Sequence, residues 1–340
     1  MAKGKPSMSD DPLLPQESPD AEPVHYVDEV DDGFTPEDNA WGDDHRSGVV
    51  AVVGRPNVGK STLINAILGQ KIAIATPKPQ TTRRNQLGIY TVPEAQILFT
   101  DTPGIHKPHN KLGEFMMTAA DSALKDADVI LWILDATEAP NAADNYISER
   151  LRAVAPQTPI VLVLNKTDLL KGVYDFGAHL ALADYNAEFK ISAAKGTRVS
   201  ELIAHLISLL PLGPRYYPID QASDVNMRFI AAEIIREKII LNTDKEVPYS
   251  VAVEIDGFKE EAERTVISAV IYVERDSQKG IIVGKGGAMI KKIGTQARLD
   301  LIEQVGTPVH LELHVKVLKG WRDNEDLLRR VGYRIPKDED

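Results

Sequence analysis

The run Gly54-Arg55-Pro56-Asn57-Val58-Gly59-Lys60-Ser61 sets glycines at its first and sixth positions and ends in Lys-Ser. A backbone curled over such glycines turns its N–H groups, and the N-terminus of the next helix, toward phosphate oxygens. Lys60 then bridges β- and γ-phosphates, Ser61 offers a hydroxyl to Mg²⁺, and Thr62 completes the cradle on the first helical turn. The motif needs a strand before it and a helix after it. Val49–Val53 and Lys60–Leu68 read as that strand and that helix.

A phosphate cradle does not choose a base. Asn165-Lys166-Thr167-Asp168 follows the apolar run Ile160–Leu164, which places it at the carboxyl edge of a sheet. There the Asp168 carboxylate can accept from guanine N1–H and the exocyclic amine. Adenine offers no such pair and would leave the carboxylate desolvated and unpaired. Ser192-Ala193-Ala194 follows another short apolar run and can present backbone N–H groups to guanine O6. Asp101-Thr102-Pro103-Gly104 ends a further strand: Asp101 suits Mg²⁺ through water, and the Gly104 N–H can sense a γ-phosphate. The ligands expected are therefore GTP, GDP and Mg²⁺.

In the second half, Gly284-Lys285-Gly286-Gly287 opens a segment in which Ile290, Ile293 and Ala297 share one helical face. Lys291, Lys292 and Arg298 lie outside that face. A glycine turn of this kind lets phosphates pass close to bare backbone, as in KH domains that bind single-stranded RNA. The tetrapeptide alone would be an ordinary loop; its place among the neighbouring elements raises its meaning. His310 and His314 fall on one face of a strand, but no third ligand is near in sequence for a metal site.

These residues must be positioned by elements with two different rhythms. From Gly48, apolar strand-like runs (49–53, 95–99, 129–134, 160–164) alternate with helical segments (60–68, 114–124, 142–154, 199–209). That alternation predicts a mostly parallel sheet covered on both faces, an α/β architecture. Pro211, Gly213, Pro214 and Pro218 mark a stiff linker. Beyond it the order is helix 224–241, strands 249–257 and 266–273, the glycine turn, a helix to 304 and a strand 309–318, an α+β domain. The expected boundaries are an acidic extension at 1–46, a nucleotide domain at 47–210, a linker at 211–223, an RNA-binding domain at 224–333 and a tail at 334–340.

The net charge of −11 argues against RNA binding until it is divided. Residues 1–47 hold 13 Asp/Glu against 3 Lys/Arg, leaving 37 acidic against 36 basic residues elsewhere. Proline, acid and few aliphatics predict disorder in the extension. Without cysteine there is no disulfide framework or thiolate metal site, which suits the cytosol. No apolar stretch reaches the ~18 residues of a membrane span.

The nucleotide motifs together resemble the translation-factor-related GTPases. The phrases GRPNVGKSTLINAILGQKIAIATPKPQTTR and DTPGIHKP are similar to those of the Era family, as are RFIAAEIIREKI, VPYSVAVEI and PVHLELHVKVLKGW. The resemblance runs from about Gly48 to Tyr333. It implies a P-loop GTPase domain followed by a type II KH domain. Thr82, less readily Thr81, becomes the threonine that closes over Mg²⁺ in the GTP state. Lys60, Thr82, Gly104 and Asn57 become the groups that serve hydrolysis. The resemblance further implies a partner at the 3′ end of small-subunit (16S) ribosomal RNA, a role in 30S subunit assembly, a monomer, and cytoplasmic location with peripheral contact at the inner membrane face. No basic amphipathic helix argues for that contact independently. Where many GTPases place a water-orienting glutamine after the D-x-x-G glycine, this chain has Ile105, which cannot move a proton. Asn57 matches the position at which some relatives hold K⁺, so K⁺ activation is a further expectation. The acidic extension and the segment Lys107–Lys111 depart from the family pattern. The rival reading is an RNA-binding module in which nucleotide mainly stabilises the fold.

Overall fold

The computed structural model describes residues 41–333 except 71, 75, 77 and 79. The disorder expected of the acidic extension, up to residue 40, and the tail at 334–340 lie outside the described residues. The first strand, β1, begins at Arg46, inside the segment assigned to the extension. His45 before it is buried, its Nδ1 2.9 Å from Gly213 O.

Six strands form the first sheet: β1 (Arg46–Val53), β2 (Gln86–Val92), β3 (Ala95–Asp101), β4 (Val129–Asp135), β5 (Ile160–Asn165) and β6 (Ala187–Lys190). Their order is β2-β3-β1-β4-β5-β6, parallel throughout except for the β2–β3 pair. Every residue of β4 is buried, as an apolar run covered on both faces must be. Helices α1 (Lys60–Leu68), α2 (Lys111–Lys125), α3 (Ala142–Val154), the single turn α4 (Gly177–Leu180) and α5 (Val199–Leu209) complete the domain. Leu63, Ile64, Leu202 and Leu206 from α1 and α5 fill one face of the sheet. Ala120, Leu124, Ile147 and Leu151 from α2 and α3 fill the other. Asn141 and Asp144 cap α3 reciprocally, which fixes where that helix starts. β1, β3, β5 and β6 run parallel, so their following loops gather at one edge of the sheet.

The linker runs along the outer strands. Gln96 accepts from the N–H groups of Tyr216 and Tyr217 at 2.7 and 3.0 Å, and Ile89 N–H donates to Ala222 O at 2.8 Å.

The second domain contains α6 (Met227–Asn242), β7 (Ala252–Glu260), β8 (Thr265–Val273), α7 (Asp276–Val283), α8 (Ala288–Val305) and β9 (Val309–Val317), followed by α9 (Glu325–Arg330). Its sheet has the order β7-β8-β9, antiparallel then parallel. The crossover between β8 and β9 carries two helices where one was expected. The missing one, α7, has eight residues, of which only Gln278 and Ile282 are buried, so it shows no apolar periodicity. Ile235, Ile239, Ile293, Ala297 and Leu301 pack on this sheet as its core.

A further apolar cluster joins the two domains. Leu112, Phe115 and Met116 of α2 pack with Ala252, Val270, Tyr272, Trp321, Leu328, Val331 and Tyr333. Trp321, fully buried, packs against side chains of both domains. Its Nε1–H donates to Ser250 O at 3.1 Å and its ring stacks on Tyr333. Among the described residues no helix is long and apolar enough to cross a membrane.

Candidate functional site

The loop between β1 and α1 lines a chamber of about 540 Å³, with Pro56, Asn57, Gly59, Lys60, Ser61 and Thr62 on its floor. Thr82, Gly104 and Lys166 come to the same chamber from other strand ends. Gly59 has φ 103°, and a Cβ there would lie 2.3 Å from the Asn165 side chain, so both conformation and space exclude a larger residue. Asn165 accounts for that crowding. Its Nδ2 donates to Val58 O at 2.8 Å while its Oδ1 accepts from Ala193 N–H at 2.9 Å. One side chain thereby ties the loop after β1 to the loops after β5 and β6.

Lys60 is buried, and its Nζ donates to Gly54 O and Arg55 O at 3.0 and 3.1 Å. Burial lowers its pKa to about 8, with the Asp101 carboxylate pulling the other way. The side chain of Arg55 turns away to Glu138 and Asp144, so Arg55 contributes backbone only.

Ser61 Oγ donates to Asp101 Oδ2 at 2.6 Å, Thr82 Oγ1 donates to the same oxygen at 3.0 Å, and the two hydroxyls lie 3.1 Å apart. Asp101 is fully buried; burial raises its pKa against Lys60, Ser61 and Thr82. Its second oxygen, Oδ1, is buried without a hydrogen-bond partner. Three hard oxygens and an unsatisfied carboxylate atom fit Mg²⁺. Thr81 is engaged elsewhere, with Thr76 and Lys78 O, which leaves Thr82 as the threonine at this cluster.

Where a base is expected, Asp168 Oδ1 accepts from Ser192 Oγ at 2.6 Å, which orients the carboxylate. Lys166, held in the left-handed region at φ 68°, donates to Asp135 Oδ2 at 2.6 Å. Burial works against the Asp135 carboxylate, but Lys166 and Thr137 hold its pKa below the ordinary range. Of the Ser192–Ala194 N–H groups expected to face guanine O6, that of Ser192 donates to Thr197 O at 3.3 Å and that of Ala193 to Asn165 Oδ1 at 2.9 Å.

Sequence reasoning missed how the Thr82 segment is anchored. Lys78 Nζ donates to Ile240 O at 2.9 Å, to Thr243 O and to Asp244 at 2.8 Å. Arg236 donates to Thr81 O. Arg83 is buried and donates to Val251 O, Tyr249 O, Pro248 O and the Tyr333 hydroxyl, at 2.6, 3.2, 3.3 and 3.3 Å. These acceptors lie more than 150 residues away, so local patterning carries no sign of them.

In the second domain, Gly284, Gly286 and Gly287 all have positive φ, with Lys285 exposed at the turn. Beside α8 lies a groove with Ile290, Leu311 and Leu313 as apolar floor and Lys291 and Arg298 at its edge. Lys292 is exposed on α8 but does not line it. This arrangement offers bare backbone for phosphates beside an apolar surface for bases. His310 and His314 are exposed on β9, and no group of three potential ligands occurs among the described residues.

Residues 49–166 match the family described as "50S ribosome-binding GTPase", and residues 246–322 match that described as "KH domain". GTPase Era of Caldanaerobacter subterraneus subsp. tengcongensis is 49% identical over 298 residues, covering 86% of this chain and 99% of that protein. GTPase Era of a Thermoanaerobacter species is 48% identical over 301 residues, covering 86% and 98%. A crystal structure of Era in complex with MgGDPNP and nucleotides 1506–1542 of 16S ribosomal RNA matches with TM-score 0.79 and 39% identity, covering 85% of this chain and 99% of that one.

Proposed function

The chain belongs to the Era family of GTPases, and from that premise we propose that it is a GTP-controlled switch for small-subunit ribosomal RNA. The observation that carries the reading is the double attachment of the segment that bears Lys78, Thr82 and Arg83. On one side Thr82 joins Ser61 and Asp101 in the nucleotide chamber; on the other, Lys78 and Arg83 bind carbonyls of the second domain. A segment held by both sites transmits a change at either one.

GTP is the substrate. A water attacks the γ-phosphorus, the bond to the bridging β–γ oxygen breaks, and GDP and phosphate leave. Lys60 and the backbone N–H groups of residues 54–62 other than Pro56 hold the phosphates, and Gly104 N–H meets the γ-phosphate. Asp168 and the Ala194 N–H hold guanine, with Asn165, Lys166, Ser192 and Ala193 shaping the loops around it. Ser61, Thr82 and Asp101 would hold Mg²⁺, which supplies neutralisation of charge on the phosphoryl oxygens. Asn57, at φ 66° on the chamber wall, is assigned as a K⁺ ligand.

The same reading divides the chain into a G domain at 47–210, a linker at 211–223 and a KH domain at 224–333. Gly284–Gly287, Lys291 and Lys292 would meet RNA, and the biological setting would be 30S assembly in the cytoplasm by a monomer. The crystallised relative's 16S fragment supports the RNA target. Contact with the membrane's inner face rests on the family resemblance alone.

The test is affinity for a single-stranded RNA from the 3′ end of 16S ribosomal RNA, measured with a nonhydrolysable GTP analogue and with GDP. Tighter binding in the GTP state is expected, and the ratio gives the coupling. Equal affinities would favour the rival, an RNA binder in which nucleotide only stabilises the fold.

A further inference from the structure

Ile105 is fully buried in the core beneath α2 and α3, so it cannot reach a water at the γ-phosphate. Two other side chains meet beside that position. Gln80 lines the chamber with Lys60, Thr82 and Gly104, and His106 follows Ile105. Gln80 Nε2 lies 3.3 Å from His106 Nε2, and His106 Nδ1 lies 2.7 Å from Gly104 O.

These contacts fix the protons. A carbonyl can only accept, so Nδ1 of the imidazole carries hydrogen and donates to Gly104 O. In the neutral ring Nε2 is then an acceptor, and only the NH₂ end of Gln80 can face it. The amide is oriented by that bond, with Oε1 left over. Gln80 makes no other hydrogen bond among the described residues. Its backbone is also strained: φ 59° lies in the left-handed region, which a residue with a Cβ rarely adopts. Such strain persists where the surroundings impose it, often at functional sites.

We propose that Gln80 is the water-orienting residue of this GTPase, supplied by the segment before Thr82 in place of the one absent at Ile105, and that His106 is its positioning residue. Gln80 Oε1 accepts a hydrogen bond from the attacking water and aligns its lone pair with the γ-phosphorus. Gln80 neither gains nor loses a proton. The water oxygen–phosphorus bond forms, the phosphorus–bridging oxygen bond breaks, and the water proton ends on a phosphoryl oxygen. His106 acts only by holding the amide. Because Arg236 binds Thr81 O, the next residue's carbonyl, the water-orienting group is attached to the second domain.

The inference rests on GTP hydrolysis in this chamber. The test is single-turnover hydrolysis by the full chain and by Gln80→Ala, His106→Ala and the double variant, with affinity for the nonhydrolysable analogue measured beside it. Gln80→Ala is expected to slow hydrolysis by about 10²-fold, the scale of losing one positioned polar group, with affinity changed less than about twofold. His106→Ala is expected to slow it by roughly tenfold, on the scale of removing one supporting hydrogen bond, and the double variant no further than Gln80→Ala. His106→Gln, which restores an acceptor for the amide, should recover part of the rate. An unchanged rate in Gln80→Ala, or losses that simply multiply in the double variant, would overturn the proposal while leaving the GTPase assignment intact. A wild-type chain that binds GTP without hydrolysing it would overturn both.

Discussion

The guanidinium of Arg83 donates to the Val251 carbonyl at 2.6 Å across 168 residues of chain, one residue from the Thr82 hydroxyl that faces Asp101. Burial lowers the Arg83 pKa, yet three carbonyls and the Tyr333 hydroxyl remain around the group. Nucleotide cluster and second domain are thus separated by a single peptide unit.

Arg83→Met keeps much of the packing volume and removes every donor, leaving buried carbonyls unpaired. A loss of about 2–4 kcal/mol in unfolding free energy is expected, since several charged hydrogen bonds go at once. The ratio of RNA affinities between the GTP-analogue and GDP states should also fall toward one. Denaturant titration and the paired RNA measurements check the two effects separately.

Lys60 makes nucleotide affinity dependent on pH. Its folded pKa, about 8, lies below the ordinary 10.5. Between those values the unfolded chain holds a proton the folded chain has shed, so this residue makes the nucleotide-free protein more stable as pH rises through that window. Its penalty is full below pH 8. Phosphates restore the charge, so binding GDP at pH 8.5 should take up roughly half a proton or more. Calorimetry in two buffers of different ionisation enthalpy reads that uptake, and Lys60→Met should abolish it.

Asp168→Asn should invert part of the base preference. An amide keeps one oxygen to accept from guanine N1–H but sets its NH₂ against the exocyclic amine, and the loss should be about three orders of magnitude in GDP affinity. Xanthosine diphosphate carries a carbonyl where guanine has the amine, so its affinity should rise in the same variant. Fluorescence competition with both nucleotides separates this from general loss of the site.

Replacing Lys285 and Gly286 together with Asp brings negative charge to a turn whose flanking glycines, Gly284 and Gly287, both have positive φ. RNA binding should weaken, and the slope of log affinity against log salt should shrink by about 0.7 for each phosphate that the turn no longer neutralises. GDP affinity should not change. A variant that binds RNA as wild type does would remove this turn from the interface.

Turnover in K⁺ should exceed turnover in Na⁺ at equal ionic strength if Asn57 holds a cation against the phosphates. Asn57→Ala should erase the difference. Equal wild-type rates in the two salts would leave Asn57 as a loop-shaping residue.

The nucleotide motifs were legible because each is a short string that folds locally between a strand and a helix. Lys60, Ser61, Asp101, Asn165 and Asp168 need only strand order to meet at one sheet edge. The antiparallel β2 and the short α7 were not legible: QLGIYTV shows no clean alternation in burial, and α7 buries only two side chains. The contacts of Lys78, Arg83 and Arg236 were unreadable for another reason. Their partners are mostly main-chain carbonyls, and a carbonyl acceptor leaves no mark on residue type. Likewise, His106 adjoins a motif, but its meeting with Gln80 depends on how two loops fold back.

The apolar cluster around Trp321 bears on whether the chain can be divided. Leu112, Phe115 and Met116 belong to one domain by sequence, and Ala252, Val270 and Tyr272 to the other, yet all six are at most 5% exposed. Cutting at the linker would give each fragment a raw oily face, prone to self-association. The halves are therefore modules of recognition that share a folding unit, and a graft of the RNA-binding half onto another protein would have to bring a substitute for the N-terminal half of α2.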